Sequence, residues 1–337
     1  MKRTGDLYWR IAEPENLRLA FWKAQKGKQD RPEIQEYRDH LEENLDELRG
    51  SILDRDVRIG DYRYFTVRDP KTRQICAAPF NERVLHHAIM NLCEPVFERY
   101  AIDDTYACRP GKGTHRAMLR AREFAGRFPF CLKMDIAHYF GSIDHGVLMA
   151  LLERRFKDSD LLALFVTILA SFEADPGKGL PIGNLTSQHF ANFYLGWFDH
   201  FVKEQLRIKG YVRYMDDFLV FGRNRQELRA GLEVIRAFLA EELGLRLKEG
   251  VQLKPSRAGV SFLGYRVFPD KVSLTRRSRE RFIMRFQKYE GQLADGVLSE
   301  TEAARRMQAV IGFTEWADAA GFRRAALKKY GAQPTDG

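Results

Sequence analysis

Cysteine and long apolar runs are scarce in this sequence, and their scarcity argues against several classes of protein. The chain has four cysteines, Cys76, Cys93, Cys108 and Cys131, with no CxxC pair among them. This spacing predicts neither a disulfide framework nor a zinc site. No apolar run reaches the roughly eighteen residues of a membrane span, and the N-terminus does not resemble a signal peptide. We therefore expect a cytoplasmic protein with no membrane partner.

The composition is that of a globular, basic protein. Hydrophobic residues make up 45% of the 337 positions and aromatic residues 12%, which suffices for a packed core of two or three subdomains. Lysine and arginine total 55 against 46 acidic residues, so the net charge is +9. A surplus of this size suits a polyanionic partner, although many basic proteins bind no nucleic acid.

Hydrophobic periodicity predicts helices and strands in alternation. Apolar spacing favours helices over residues 7–26, 34–49, 81–99, 143–156, 187–209 and 228–243. Residues 130–136 instead alternate apolar and polar side chains, the pattern of a half-buried strand that leaves Asp135 facing away from the apolar row. Residues 211–222 predict a hairpin around Met215-Asp216-Asp217, and residues 245–253 and 260–268 are strand-like.

The order of these elements predicts an α+β fold with a split β-α-β-β-α-β antiparallel sheet. Helices are expected on one face of the sheet, and the other face is expected to be free to hold a duplex. Asp135, at the end of one central strand, is then expected beside the bend that carries Asp216 and Asp217.

Three carboxylates brought together repel one another unless a cation lies between them or one is protonated. Magnesium suits a sparse aspartate site because it takes oxygen ligands and completes its octahedron with water and phosphates. The alternative is that Asp216-Asp217 is only a polar turn, as most isolated Asp-Asp pairs are.

The segment Tyr214-Met215-Asp216-Asp217 and its apolar flanks closely resemble the catalytic hairpin of reverse transcriptases. Four further segments match that family in the same order, so the resemblance covers residues 61–268. It implies a right-hand polymerase fold with fingers (1–100 and an insertion at 149–180), palm (101–148 and 181–270), a small helical thumb (271–330) and a flexible tail (331–337).

By resemblance, Asp135, Asp216 and Asp217 are the catalytic metal ligands, and Ile136 adds a backbone carbonyl. The implied cofactor is a pair of Mg²⁺ ions, with Mn²⁺ as a substitute. Because successive side chains on a strand face opposite ways, Asp135 and Asp216 are expected to be the stronger ligands and Asp217 an auxiliary carboxylate.

The resemblance also implies binding residues for dNTPs, a template RNA and a cDNA or RNA primer. Three of these assignments have a structural alternative. The basic residues of the fingers could form a solvated loop, and Phe140 could be a core side chain. The segment that contains Thr186 and Ser187 could be a helix start with one of these residues as its N-cap. The nucleotide set is Lys71, Arg73, Arg83, Phe140, Ile182, Gly183 and Gln188. The primer grip is Phe262, Leu263, Gly264 and Tyr265. The general acid is either Lys254 or Lys248. The nucleic-acid backbone contacts are Arg109, Lys112, Arg276, Arg277 and Arg281.

Within the family, residues 182–188 (Ile-Gly-Asn-Leu-Thr-Ser-Gln) resemble the enzymes of diversity-generating retroelements. Group II intron and retron enzymes usually have Gln at the position of Ile182, directly before the Gly, and Pro at the position of Gln188. The resemblance implies cDNA synthesis from a template-repeat RNA with errors at adenines, a small basic accessory variability protein as oligomeric partner, and a bacterial, archaeal or phage source. The alternatives are an intron, retron or defence-associated reverse transcriptase, or a catalytically silent RNA-binding scaffold.

Overall fold

The computed structural model describes residues 2–68 and 72–331. The helices in chain order are α1 (Tyr8–Ile11), α2 (Pro14–Gln25), α3 (Pro32–Asp39), α4 (Leu41–Leu53), α5 (Phe80–Tyr100), α6 (Thr114–Arg127), α7 (Tyr139–Ser142), α8 (His145–Glu153), α9 (Ser159–Ala170), α10 (Leu185–Tyr194), α11 (Gly196–His200), α12 (Arg225–Leu243), α13 (Arg276–Ala294), α14 (Glu300–Glu315) and α15 (Ala320–Tyr330). The strands are β1 (Arg63–Val67), β2 (Arg73–Ala77), β3 (Phe130–Asp135), β4 (Gly210–Tyr214), β5 (Asp217–Gly222), β6 (Gln252–Pro255), β7 (Val260–Phe262), β8 (Tyr265–Val267) and β9 (Val272–Leu274).

The chain folds into two compact units. The first comprises Met1–Asp103, Ile136–Arg207 and Leu232–Lys248, and the second comprises Asp104–Asp135, Ile208–Gly231 and Glu249–Gly337. These units divide the chain differently from the predicted fingers, palm and thumb boundaries, which stay a prediction. No helix within the described ranges 2–68 and 72–331 is long and apolar enough to cross a membrane.

The first unit is mainly helical and carries the β1–β2 hairpin. The helix predicted over residues 7–26 is interrupted before Pro14, which starts α2 because a proline is well tolerated at the first helical position. The helix predicted over residues 34–49 is likewise two helices, α3 and α4, which meet at His40. In the interior of this unit, the Phe21, Tyr37 and Phe80 rings pack together.

The aromatic helix predicted over residues 187–209 is three pieces in the structure. α10 and α11 are followed by one π-helical turn at Phe201–Gln205, and helix ends there, before Gly210. At Gly196, where α11 begins, an added Cβ would lie 2.7 Å from the Tyr100 ring, so only glycine permits this contact. The apolar spacing predicts a buried aromatic stripe of Phe190, Phe193, Tyr194, Trp197 and Phe201. The first three are buried, whereas Trp197 and Phe201 are half-buried.

The second unit holds the predicted sheet. Its four strands are all antiparallel in the spatial order β4-β5-β3-β6, which confirms the split β-α-β-β-α-β arrangement. α12, whose part from Leu232 onward belongs to the first unit, ends as predicted before Gly244, whose φ of +61° suits the left-handed conformation that terminates helices. The strand predicted over residues 245–253 is shorter than expected: β6 begins at Gln252, after the positive-φ residue Gly250.

The sheet face that carries Asp135 is only partly free. At its far end, Cys131, Leu219 and Phe221 are buried in a cluster with the α6 residues Met118 and Phe124. The prediction that a whole face is left free for a duplex is therefore wrong, because the apolar residues of that face need cover too. Only the end of the face near Asp135 carries mostly polar side chains.

After the four-stranded sheet, the described part of the second unit, up to residue 331, contains the three-stranded sheet β7-β8-β9 and the helices α13, α14 and α15. The strand predicted over residues 260–268 is in fact the β7–β8 hairpin, which turns at Leu263 and Gly264 because both residues have positive φ. In α13, the four-residue spacing of Phe282 and Phe286 puts them on one side of the helix, and both are buried against Val310 of α14 and Ala326 of α15.

Candidate active site

Two aspartates face each other across the central strands of the four-stranded sheet. Asp135, the last residue of β3, pairs in register with Asp217, the first residue of β5. Directly paired residues in an antiparallel sheet have side chains on the same face with Cβ atoms about 4.5–5.5 Å apart. The β3–β5 register therefore sets two carboxylates side by side, although they are 82 residues apart in sequence.

The third aspartate lies in the turn that precedes Asp217. Tyr214 pairs with Asp217, so Met215 and Asp216 form a two-residue hairpin loop. Met215 has φ +54°, a left-handed conformation that costs an ordinary side chain about 1–2 kcal/mol. The Arg213 guanidinium is almost fully buried, and its Nη1 donates to the Met215 carbonyl at 3.1 Å. This contact supports the strained turn that carries Asp216.

Asp217 is held on one side by a lysine. Lys133 Nζ donates to Asp217 Oδ2 at 3.2 Å, whereas Asp217 Oδ1 is buried without a hydrogen-bond partner in the described part of the chain. Burial raises the pKa of Asp217 to about 6; Lys133 opposes this shift, and the negative charges of Asp135 and Asp216 add to it. The three aspartates and Lys133 are thus electrostatically coupled.

The donor set fits a divalent cation of the magnesium type. Within residues 2–68 and 72–331, no three His, Cys, Asp or Glu side chains already form a cluster that could hold an ion. Two paired aspartates, a third in the adjoining turn and one buried oxygen without a partner nevertheless form a sparse, all-oxygen set. Magnesium uses such sets because it retains water and takes phosphate oxygens as its remaining ligands.

Comparison with known proteins identifies the family. Residues 67–267, more than half of the chain, match the sequence profile described as reverse transcriptase (RNA-dependent DNA polymerase). The chain belongs to the reverse transcriptase family. The match contains all three aspartates and every strand of the four-stranded sheet.

Among curated proteins, Protein YkfC of Escherichia coli (strain K12) is 24% identical over 250 residues, which cover 60% of this chain and 65% of YkfC. Group II intron-encoded protein LtrA of Lactococcus lactis subsp. cremoris is 29% identical over 146 residues, 41% of this chain and 24% of LtrA. The chain thus spans less than two thirds of either relative. A solved structure of telomerase from Candida albicans with a fragment of telomeric RNA aligns over 80% of this chain and 56% of the telomerase chain, at 12% identity and a TM-score of 0.48.

In this reverse transcriptase, backbone contacts in the first unit connect the segments that carry three of the predicted nucleotide-binding positions. Cys76 of β2 donates its N–H to the Ile182 carbonyl at 2.8 Å, and Leu180 N–H donates to the Phe140 carbonyl at 2.8 Å. Arg73, three residues before Cys76 on β2, has an exposed side chain. Phe140, Ile182 and the strand of Arg73 thus lie in one connected region.

Gly183, a predicted nucleotide-binding residue, packs closely against β2. Its φ is +125°, and an added Cβ would lie 2.9 Å from the Cys76 carbonyl oxygen and 2.9 Å from Ile75 Cγ2. The close approach seen in the structure is therefore to β2. The helix that follows begins at Leu185 after Asn184, so neither Thr186 nor Ser187 is its N-cap.

The other predicted nucleotide ligands are less uniform. Arg83 donates to Glu33 at 2.8 Å and to the Ala78 carbonyl at 3.0 Å, so its guanidinium already has structural partners. Gln188 is half-buried in the first turns of α10. Lys71 lies outside the described residues.

The predicted primer grip contains two core side chains. Phe262 and Tyr265 are buried, and the Tyr265 hydroxyl donates to the Phe313 carbonyl at 2.7 Å. Leu263 and Gly264 form the hairpin turn and are partly exposed. Any contact of this element with a primer would therefore come from the turn and from backbone atoms.

The two candidate general acids are in different places. Lys254 pairs with Cys131, four residues from Asp135 along β3, a separation of about 13 Å. Lys248 follows Leu247, which bridges to Ile136, the residue after Asp135. The two lysines thus belong to different units, and both stay candidates for the general acid.

The predicted backbone contacts are surface or loop residues of the second unit. Arg109 donates to the Thr105 carbonyl at 3.0 Å and braces its own loop, and Lys112 lies over the Tyr106 ring. Arg276 pairs with Glu280 at 2.7 Å on α13. The other two predicted contacts on that helix are Arg277 and Arg281.

Two residues of this site were missed in the sequence. Lys133 is two residues before Asp135 in an alternating strand, so the same periodicity that oriented Asp135 places Lys133 on its face. Arg213 has no comparable signal, because a buried arginine in an apolar strand is recognised only when its partner is known.

Proposed function

We propose that this chain is an RNA-directed DNA polymerase that makes cDNA by two-magnesium nucleotidyl transfer. The observation that carries the proposal is the register that pairs Asp135 with Asp217 beside the turn of Asp216, within a chain of the reverse transcriptase family. The substrates would be dNTPs, a template RNA and a cDNA or RNA primer.

In this proposal the aspartates hold the metal ions with the help of the Ile136 carbonyl. Bound magnesium, or manganese in its place, would activate the primer 3′-hydroxyl and stabilise the leaving pyrophosphate. Lys133 offsets part of the negative charge and leaves one oxygen of Asp217 available. Arg73 would bind the triphosphate, and Phe140 would exclude a 2′-hydroxyl from the sugar pocket. Either Lys254 or Lys248 would protonate the departing pyrophosphate.

Primer extension on an RNA template with Mg²⁺ tests this function. The parent should extend the primer, and Asp216→Ala should abolish extension because it removes a ligand of the reacting centre. Asp295→Ala, at an exposed position at the end of α13, is the matched control and should retain activity. Equal activity of Asp216→Ala and the parent would refute the metal site, whereas an inactive but RNA-binding parent would favour the scaffold.

Within this activity, we infer that the enzyme serves a diversity-generating retroelement and makes errors at template adenines. The support is residues 182–188, with Ile182 and Gln188 at the two positions that separate this group from intron and retron enzymes. Ile182 also bonds to β2, the strand that carries Arg73, so the two residues proposed to shape fidelity are on adjoining elements.

Sequencing of cDNA tests the retroelement assignment. Ile182→Gln and Arg73→Ala should change the error rate at template adenines relative to the parent. Unchanged rates in both variants would reject the assignment while leaving the polymerase activity intact. Co-purification should detect a small basic accessory protein oligomer encoded near the gene, alongside a template and variable repeat pair. An intron-type enzyme is the alternative, favoured by the likeness to LtrA.

A further inference from the structure

Lys133 is the side chain that links the carboxylates to another element of the second unit. Its ammonium donates to Asp217 Oδ2 at 3.2 Å and to the backbone carbonyl of Ser261 at 2.6 Å. The lysine side chain is 21% exposed; its bond to Asp217 is part-buried, whereas its bond to Ser261 lies at an exposed position. A hydrogen bond from a charged donor is stronger than one between neutral groups.

Ser261 is the central residue of β7, the strand that leads into the Leu263-Gly264 turn. Its neighbours Val260 and Phe262 are buried in the core of the unit, so β7 is fixed from one side by apolar packing. The Ser261 carbonyl gives the same strand a polar link to Lys133. A displacement of the turn that moves β7 would therefore be transmitted to the ammonium.

Asp217 receives this link at only one of its two oxygens. Oδ2 accepts from Lys133, and the buried Oδ1 has no partner among the residues that the structure describes. Its backbone position is set by pairing with Asp135 and Tyr214. Lys133 therefore sets which way the remaining oxygen points.

We propose that Lys133 is a positioning residue that couples the predicted primer-grip hairpin to the Asp217 carboxylate, so that primer binding and divalent-cation binding strengthen each other. The proposal rests on the proposed polymerase function. One ammonium shared by two acceptors gives a direct physical path, because the Ser261 carbonyl and Asp217 Oδ2 must both be in place for both bonds to form. Neither site then reaches its best geometry alone.

Fluorescence anisotropy of a primer–RNA template duplex tests this coupling. Binding is measured with EDTA and with Mg²⁺, without dNTPs, so that no extension occurs. For the parent, Mg²⁺ should tighten binding. The measured quantity is the dissociation constant in EDTA divided by that in Mg²⁺. For Lys133→Met, this ratio should fall by about tenfold, the order expected for loss of one charge-assisted hydrogen bond.

Graded variants separate coupling from simple charge loss. Lys133→Arg retains charge and donors and should keep part of the effect, whereas Lys133→Gln should keep less. Lys271→Met removes one exposed positive charge from the β8–β9 hairpin of the same unit and should leave the ratio unchanged. If Lys133→Met fails to fold by circular dichroism, Lys133→Gln carries the test.

Each outcome is decisive. An Mg²⁺ effect in Lys133→Met and Lys133→Gln equal to that of the parent would overturn the coupling, and so would the absence of any Mg²⁺ effect in the parent. An equal fall in Lys271→Met would attribute the effect to net charge and overturn it as well. Parent primer extension that is lost in Asp216→Ala shows separately that the polymerase function stands, so failure of the coupling is distinguishable from failure of the activity.

Discussion

Replacement of Asp217 by asparagine should stabilise the metal-free protein at neutral pH while impairing its activity. The Asp217 side chain is only 20% exposed, and burial together with two neighbouring carboxylates disfavours its ionised form. Asparagine has nearly the same shape, keeps an oxygen that accepts from Lys133, and removes the charge. The variant therefore isolates the electrostatic cost of this carboxylate.

The sign and size of the effect follow from the pKa. The pKa of Asp217 rises from 3.8 to about 6 on folding, so the folded state binds this proton more tightly than the unfolded state does. Stability is then highest when the group is protonated and falls as pH increases from about 4 to about 6. Above that window the cost of ionised Asp217 is roughly 3 kcal/mol, from about two pKa units at 1.36 kcal/mol each. Because Lys133 loses a charged partner in the variant, we expect a gain of about 1–3 kcal/mol.

Urea denaturation in EDTA at a series of pH values measures this gain. The difference in unfolding free energy between Asp217→Asn and the parent should be near zero at pH 4 and reach its full value by pH 7.5. Added Mg²⁺ should stabilise the parent more than the variant, because a ligand that binds only the folded state raises stability. Asp295→Asn, at an exposed position, is the control. A difference that does not vary with pH, or a destabilised variant at pH 7.5, would refute the reasoning.

Three further predictions concern residues that support the site. Arg213→Met should lower the free energy of unfolding, measured by urea denaturation, by about 1–3 kcal/mol and reduce primer extension at least tenfold, because the Met215 carbonyl loses its buried donor. Unchanged primer extension would contradict the role of Arg213 in supporting the turn. Gly183→Ala should raise the KM for dNTPs in steady-state extension, because its Cβ would meet the β2 backbone at positive φ, whereas Gly50→Ala, in a helix with open space around it, should be neutral or slightly stabilising. Arg83→Ala should lower the thermal midpoint through loss of its bonds to Glu33 and Ala78; a rise in KM for dNTPs without loss of stability would instead mark it as a nucleotide ligand.

Local patterns were sufficient for the strand that carries Asp135 and for the hairpin that carries Asp216 and Asp217. Alternation along β3 predicts which residues share a face, and period-2 order survives folding because strand geometry imposes it. The order of strands and helices also predicted the antiparallel sheet. Helix boundaries were less predictable: the break before Pro14 follows from a local rule, but the π-helical turn after His200 does not.

The two-residue turn at Met215 shows where sequence reasoning ends. No Asn-Gly or Asp-Gly pair predicts a positive φ there, and the conformation is found beside a buried guanidinium that bonds to the Met215 carbonyl. The β7–β8 turn was missed for a related reason. Leu263 adopts a positive φ, and the Gly264 carbonyl accepts a hydrogen bond from Ser278 at 2.6 Å, a contact between residues fourteen positions apart.

The sequence by itself determined the family, the fold class and the identity of the three aspartates, because these depend on residue types and spacing along the chain. Only the tertiary structure decided that Asp217, rather than Asp216, lies directly opposite Asp135, and that Lys133 and Ser261 connect this carboxylate to the β7–β8 hairpin. The physical reason is that strand register and long-range hydrogen bonds are properties of the packed sheet. A one-residue slip of register would leave the motif unchanged and turn its side chains to the other face.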